Sequence, residues 1–293
     1  MDLPEREILL SPWLQSQSLV MIHAWRGVGK THVALGLSYA LASGGEFLGW
    51  RAPSASPVLY VDGEMPVSAL KDRVARIVAA SDTEAAPGAL RFLTPDLQPF
   101  GYMPNLSTSE GQEAIDAVIG DSKVIIVDNL SSLVRTGKEN EAEGWQPIAD
   151  WGLRMRASGR SVVFVHHSGK GGTQRGTSKR EDLLDAVIAL KRPLDYDASQ
   201  GARFEVHFEK ARALHGQEVN PVEAWLQTDP DGKQAWTLRD CETHRHKKMI
   251  ELAQDGLSQA DIARELGIHR SNVLRFLRKA KADGSYNPPK GKP

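Results

Sequence analysis

The sequence predicts an α/β fold with a mainly parallel sheet and an antiparallel extension, followed by a small all-α domain. Three observations support this prediction. Near the start of the chain, a glycine-rich loop separates an apolar run from a helical pattern. Further apolar runs with polar ends alternate with helical patterns up to residue 185. Residues 242–293 are basic and contain helical patterns separated by glycine.

The glycine-rich loop, AWRGVGKT over residues 24–31, nearly matches the P-loop that holds nucleotide phosphates. The apolar residues 19–22 predict a buried strand before it, and apolar residues recur at helical spacing after it. In this setting backbone N–H groups face the β-phosphate of ATP, Lys30 contacts the β- and γ-phosphates, and the Thr31 hydroxyl binds Mg²⁺. Ala24 stands where the motif usually has its first glycine. The residues predicted to bind nucleotide are Ala24, Trp25, Arg26, Gly27, Val28, Gly29, Lys30, Thr31 and His32.

Four further apolar runs predict the other strands of the parallel sheet. They cover residues 58–61, 90–93, 124–127 and 161–165. Three of these runs lead into acidic or histidine residues, which are expected on the nucleotide side because ligands of such sheets bind at the carboxyl ends of the strands. Beyond residue 185, the short runs 186–190, 204–208, 222–226 and 235–238 predict an antiparallel extension of the sheet.

The polar strand ends supply candidates for catalysis. Asp128, after the run VIIV, is predicted to hold Mg²⁺ directly or through water. Glu64 is predicted to orient and deprotonate the attacking water, with Asp62 as the alternative base. His167 is predicted to sense the γ-phosphate, whereas His166 points to the other side of the strand. No further ligands lie near this histidine pair at the spacing of a zinc site.

Two basic segments are candidates for contacts outside the subunit. Residues 168–180 are rich in glycine and contain no large apolar residue, which is typical of a linker. The alternative is a mobile element that contacts a nucleic-acid backbone, with Lys170 and Lys179 as DNA-binding residues, or the phosphates of a neighbouring subunit. Lys210 and Arg212 follow a predicted strand, and such a pair can supply an arginine finger to a neighbouring subunit or can be ordinary surface charge.

The C-terminal segment has the pattern of a helix-turn-helix. Ser258 is predicted to cap a helix, Gly267 to form the turn, and an earlier helix near residues 247–254 to complete a three-helix unit. The second helix is expected to bind DNA, and protein docking, with a replication initiator or primase as partner, is the alternative. The predicted domains are residues 1–241, residues 242–284 and a disordered tail, 285–293. The candidate DNA-binding residues are His269, Arg270, Ser271, Asn272 and Arg275.

Composition is consistent with a cytoplasmic protein that has a nucleic-acid partner. Residues 242–293 carry 11 Lys and Arg against six Asp and Glu, so positive charge is concentrated there. The single cysteine, Cys241, excludes an intramolecular disulfide. No apolar stretch reaches the roughly 18 residues of a membrane span, and the acidic N-terminal residues do not have the pattern of a signal peptide.

Taken in order, the segments AWRGVGKT, LYVDGEMP, VIIVDN, VVFVHHSGKGG, QRGTS and FEKARA resemble the RecA-like ATPase core of RepA/DnaB-type hexameric replicative helicases over residues 10–240. The resemblance implies a RecA-like P-loop NTPase that forms a hexamer, with ATP and Mg²⁺ between subunits. It also implies Lys30 and Thr31 at the phosphates and Mg²⁺, Glu64 as base, Asp128 as the Walker B acid and His167 as sensor. Lys210 or Arg212 would be the finger, with Arg175 as a second candidate.

Three functions remain open at this point. The first is a plasmid or mobile-element replicative helicase that holds single-stranded DNA in a ring pore and binds duplex DNA through the helix-turn-helix. The second is an ATP-dependent DNA-binding regulator or repressor that does not unwind DNA. The third is an ATPase of the KaiC-like or recombinase-like type.

Overall fold

The computed structural model describes residues 5–135, 142–168, 182–193, 195–212, 214–282 and 284–286. No helix in these ranges has the length and apolar character needed to cross a membrane. The strands in these ranges are β1 (Ile8–Leu10), β2 (Leu14–Gln15), β3 (Leu19–Ala24), β4 (Glu46–Phe47), β5 (Trp50–Arg51), β6 (Val58–Asp62), β7 (Leu90–Leu93), β8 (Val124–Asp128), β9 (Ser161–His167), β10 (Ala186–Lys191), β11 (Arg203–Ala211), β12 (Val222–Thr228) and β13 (Gln234–Asp240). The helices are α1 (Lys30–Ser43), α2 (Val67–Ala80), α3 (Ser109–Ile119), α4 (Leu130–Leu133), α5 (Ala142–Ala157), α6 (Cys241–Gln254), α7 (Gln259–Glu265) and α8 (Arg270–Ala282).

A nine-stranded sheet forms the centre of the fold, in the order β13-β12-β11-β10-β3-β9-β8-β6-β7. The six strands from β10 to β7 are parallel, and β11, β12 and β13 continue the sheet as antiparallel neighbours. The predicted α/β fold, with its mainly parallel sheet and antiparallel extension, is therefore confirmed. One detail was wrong: residues 186–190 belong to β10, which is parallel to β3. This strand is apolar on both faces because it lies inside the sheet, as parallel strands usually do.

Helices cover both faces of the sheet. The side chains of β8 alternate, so that Ile126 packs in the core with α1, whereas Ile125 and Val127 pack in the second core with α3, α4 and α5. By the same alternation Asp128, the last residue of β8, lies on the α1 face. The two apolar layers therefore determine on which side of the sheet each polar strand end emerges.

The C-terminal part consists of α6, α7 and α8 around their own small core, which includes Met249, Ile262, Val273 and Leu277. Helix α6 begins at Cys241, directly after β13 ends at Asp240. The Cys241 thiol is 5% exposed, and burial raises its pKa to about 12. Tyr286, in the segment predicted as a disordered tail, is buried in this core, and residues 287–293 lie outside the described residues.

Candidate nucleotide site and DNA-binding face

The carboxyl ends of the parallel strands meet at one edge of the sheet, as expected from the sequence. Asp62 and Asp128 are register partners on neighbouring strands, and β9 ends at His167 beside Ala24 of β3. A cavity of about 1380 Å³ lies over this edge. Its lining includes Trp25, Arg26, Gly27, Gly29, Lys30, Thr31, His32, Glu64, Asp128 and His167.

The loop between β3 and α1 has the backbone of a phosphate cradle. Gly27 and Gly29 have φ angles of 75° and 134°, which side chains other than glycine rarely adopt. A Cβ atom on Gly29 would also lie 2.8 Å from the Phe204 ring, so the loop packs closely against β11. Ala24 and Val28 are buried and contribute backbone to the loop. Ala24 ends β3 as a strand residue, so alanine fits where the motif usually has glycine.

Lys30 is a buried cation held by neutral oxygens. It is 6% exposed, and its Nζ donates to the carbonyl oxygens of Ala24 (3.0 Å) and Trp25 (3.2 Å). Burial lowers the pKa of Lys30 to about 8, although Asp128 and Glu64 counteract the shift. A buried ammonium group at the mouth of a glycine loop fits the negative charge of a β- or γ-phosphate.

Asp128 is fixed from two sides. Tyr60 donates its hydroxyl to Asp128 Oδ2 at 2.6 Å, and the Thr31 side chain is a second hydrogen-bond partner of this carboxyl. Burial raises the pKa of Asp128, while these hydrogen bonds and Lys30 oppose the shift. The buried carboxyl and the hydroxyl of Thr31 are oxygen ligands of the kind that Mg²⁺ takes in P-loop proteins, so the residues fit this ion.

Glu64 and Asp62, the two candidate bases, have different surroundings. Glu64 is exposed and lines the cavity. Asp62 is 2% exposed, and its carboxylate accepts from the backbone N–H groups of Glu64 (3.1 Å) and Met65 (3.2 Å). Burial raises the pKa of Asp62 to about 6. Asp62 therefore holds the turn that presents Glu64, while the Glu64 carboxylate is available to the cavity.

His32 and His167 also line the cavity. Burial, together with the charges of Arg73 and Arg76, lowers the pKa of His32 to about 4, so this ring is neutral at pH 7. His166 is 5% exposed and borders the same cavity from the neighbouring strand position. Within the described residues no group of three or more His, Cys, Asp and Glu side chains is arranged to hold a metal ion.

Sequence reasoning missed Arg192 and Tyr196, a basic and an aromatic residue that also line the cavity. Arg192 donates to the carbonyl oxygens of Gly27 and Gly201, and its guanidinium lies 3.6 Å from the centre of the Tyr196 ring. Trp25, 44% exposed, lines the same cavity. Arg192 follows β10 directly, so a cation just beyond a parallel strand was the signal that could have identified it.

Lys210 and Arg212 do not line the P-loop cavity of their own chain. Both contact the carbonyl oxygen of Asp182, at 3.5 Å from Lys210 Nζ and 2.5 Å from Arg212 Nη2. The other predicted residues of this region, Lys170, Arg175 and Lys179, lie outside the described residues.

The C-terminal helices have the predicted helix-turn-helix geometry. The Ser258 side chain accepts from Asp261 N and caps α7, and Gly267 has a φ of 57° in the turn before α8. Asn272 and Arg275 border a groove of about 570 Å³ between α8 and α6, together with Arg245 and Lys279. Arg270 lies on the other flank of α8. His269 and Ser271 are hydrogen-bonded to each other at the start of α8.

The fold and the P-loop define a RecA-like α/β domain joined to a helix-turn-helix module. Comparison with known proteins agrees: the chain belongs to the AAA domain family, which matches residues 2–173, and a helix-turn-helix domain matches residues 247–293. The crystal structure of a KaiC-like protein from the hyperthermophilic archaeon Pyrococcus horikoshii is similar, with a TM-score of 0.50 and 16% identity. The similarity covers 79% of this chain and 93% of that chain, and it concerns the fold.

Proposed function

We propose that this protein is a Mg²⁺-dependent ATPase that acts on DNA, as a ring-forming replicative helicase of a plasmid or other mobile element. The observation that carries the proposal is the joint position of Lys30, Thr31, Glu64 and Asp128 around one cavity at the sheet edge. Each has the chemistry that phosphoryl transfer from ATP to water requires. The helix-turn-helix module supplies the link to DNA.

Different residues of the chain have different roles in the proposed hydrolysis of ATP. The loop N–H groups and Lys30 bind and orient the phosphates, and Thr31 and Asp128 would hold Mg²⁺. Glu64 accepts a proton from the attacking water, because its carboxylate faces the cavity from a turn fixed by Asp62. Mg²⁺, when bound, neutralises charge on the β- and γ-phosphates.

The proposed ring places Lys210 and Arg212 at the nucleotide of a neighbouring subunit. Their position outside the cavity of their own chain supports this role. The test mixes two inactive variants, Arg212→Ala and Glu64→Gln. If the cation acts in trans, some mixed interfaces combine an intact Arg212 with an intact Glu64, so ATP turnover returns on mixing. Arg239→Ala, at an exposed arginine of β13, is the matched control and should remain active alone. No recovery on mixing, or an active monomer by light scattering, would contradict the trans role.

A regulator that binds duplex DNA without unwinding it is the second candidate. The observation that favours it is the basic groove of α6 and α8, which is suited to duplex rather than to single strands in a pore. A fork-unwinding assay with the full chain distinguishes the two candidates. Unwinding that requires ATP and is lost in Glu64→Gln supports the helicase, whereas ATP turnover with duplex binding and no unwinding supports the regulator.

A further inference from the structure

On the face of the sheet opposite α1, hydrogen bonds and an ion pair form a chain of contacts between the side chains of Ser168, His23, Glu209 and Lys191. At its centre is His23 of β3, which is 2% exposed. Its Nδ1 lies 2.7 Å from Ser168 Oγ, and its Nε2 lies 2.9 Å from Glu209 Oε2. The other carboxylate oxygen of Glu209 is 3.0 Å from Lys191 Nζ. Because a carboxylate only accepts hydrogen bonds, Nε2 of His23 carries the proton toward Glu209.

Two features of the neighbouring strands make this contact possible. Strand β10 separates β3 from β11, and its residue beside His23 is the small Ala189, so the imidazole reaches past β10. On β11 the register shifts: Val187 pairs with Lys210 and Ile188 with Phe208, which leaves Glu209 as the extra residue of a β-bulge. A bulge redirects the side chain at that position, here toward His23.

The two ends of this chain of contacts lie at different parts of the proposed active site. Ser168 directly follows His167, borders the nucleotide cavity, and donates its backbone N–H to Ala24 O at 3.0 Å. Glu209 directly precedes Lys210 and lies three residues before Arg212. His23 thus connects the strand end at the phosphates to the strand end that carries the two cations.

We propose that His23 is a positioning residue that couples the two strand ends: by holding Ser168 and Glu209 together, it transmits the state of the nucleotide cavity to Lys210 and Arg212. This inference rests on the proposed ATPase function, in which those cations act on a neighbouring nucleotide. The hydrogen bond from His23 lowers the pKa of Glu209 to about 2, so the acceptor stays ionised throughout the neutral range. His23 itself does not line the cavity, so its loss leaves the phosphate cradle intact.

The first test separates turnover from binding. In His23→Leu we expect kcat to fall about tenfold, while the Kd of a fluorescent ATP analogue stays within about twofold, because the loss concerns coupling between sites. The matched control is His207→Leu. His207 of β11 forms a similar pair with Glu205, at 2.7 Å, and is the register partner of Ala189, the β10 residue that also lies beside His23. The control should keep the kcat of the unchanged protein. An equal loss of kcat in both variants would overturn the inference, because the effect would then follow from the loss of any His–Glu pair of the sheet.

Milder variants keep the test valid if His23→Leu folds poorly. Ser168→Ala and Glu209→Ala each remove one hydrogen-bond partner of His23 and leave the imidazole itself in place. Each should lower kcat several-fold, and the double variant should be little slower than the slower single variant, since residues that act as one unit are non-additive. Additive effects would overturn the coupling.

A readout without catalysis distinguishes failure of this inference from failure of the proposed function. Hydrogen exchange is measured with and without a non-hydrolysable ATP analogue and Mg²⁺. In the unchanged protein the analogue should protect both the residue 24–31 loop and residues 203–212, whereas in His23→Leu protection should remain at the loop and be lost at 203–212. Equal protection of both segments in both proteins would overturn the inference and leave the ATPase proposal standing. Absence of protection at the loop in the unchanged protein would overturn both.

Discussion

The nucleotide cavity and the helix-turn-helix face use charge in opposite ways. In the cavity, Lys30 and Asp128 are nearly buried, and each is held by neighbouring polar groups at hydrogen-bond distance. On α8, Arg275 and Lys279 are exposed, and they border an open groove. Burial makes the charges of Lys30 and Asp128 individually important, and Glu64, although exposed, is the proposed proton acceptor, whereas the exposed charges of α8 act mainly through their sum. Single substitutions should therefore have large effects at the first region and graded effects at the second.

The largest effect is expected at Glu64. Glu64→Gln keeps the size of the side chain but removes the proton acceptor, so kcat should fall about a hundredfold to ten-thousandfold while bound ATP accumulates. A single-turnover measurement with radiolabelled ATP checks this. Asp62→Asn is the comparison variant, because Asp62 holds the turn by backbone hydrogen bonds. A larger loss in Asp62→Asn than in Glu64→Gln would reverse the assignment of the base.

Lys30→Ala should reduce ATP turnover by about a hundredfold to a thousandfold and weaken nucleotide binding. The reason is that a buried, preorganised cation at the transferring phosphate is removed. Steady-state phosphate release and nucleotide titration measure the two effects. Lys71→Ala, at an exposed position of α2, serves as the control. Undiminished hydrolysis by Lys30→Ala would refute the ATPase proposal.

Nucleotide affinity should depend on pH through Lys30. The pKa of this ammonium group is lowered to about 8, and only the protonated form attracts phosphate, so affinity is full below pH 8 and falls as pH rises above it. The Kd should increase about tenfold per pH unit on the alkaline side, as titration of a single group requires. Lys30→Arg, whose guanidinium stays protonated, should bind with no alkaline decline. A Kd of the unchanged protein that is constant from pH 7 to 9.5 would exclude Lys30 as the titrating group.

The smallest effect is expected on the proposed DNA-binding face of α8. Arg275→Ala should reduce the magnitude of the slope of log affinity against log salt concentration by about 0.9, because one phosphate contact is lost. The loss of affinity caused by the substitution is then about fivefold larger at 0.15 M salt than at 1 M salt. Adding Lys279→Ala should lower the slope again by a similar amount, while ATP turnover without DNA stays unchanged. Duplex titrations at several salt concentrations measure the slopes. Unaltered slopes in both variants would favour protein docking as the role of this module.

The sequence was most informative where local pattern and position coincide. The P-loop motif, the apolar runs before Asp62 and Asp128, and the Ser258 cap with the Gly267 turn could all be identified because each depends on neighbours in the chain. The partners of Asp128 were not predictable in this way, since Tyr60 reaches it from another strand. Nor was the bulge at Glu209, because a register shift depends on how two strands pair and leaves no mark in either strand alone.

The junction between the edge of the sheet and the helical module contains a cysteine whose reactivity depends on whether the junction is closed. Cys241 is the only cysteine of the chain and the first residue of α6, and its buried thiol has a pKa raised to about 12. Alkylating reagents attack the thiolate, so at neutral pH the closed junction reacts slowly and an opened one reacts fast. The rate at which Cys241 is labelled therefore measures how often the junction between β13 and α6 opens. Labelling in the presence of nucleotide or of DNA shows which of the two increases this opening.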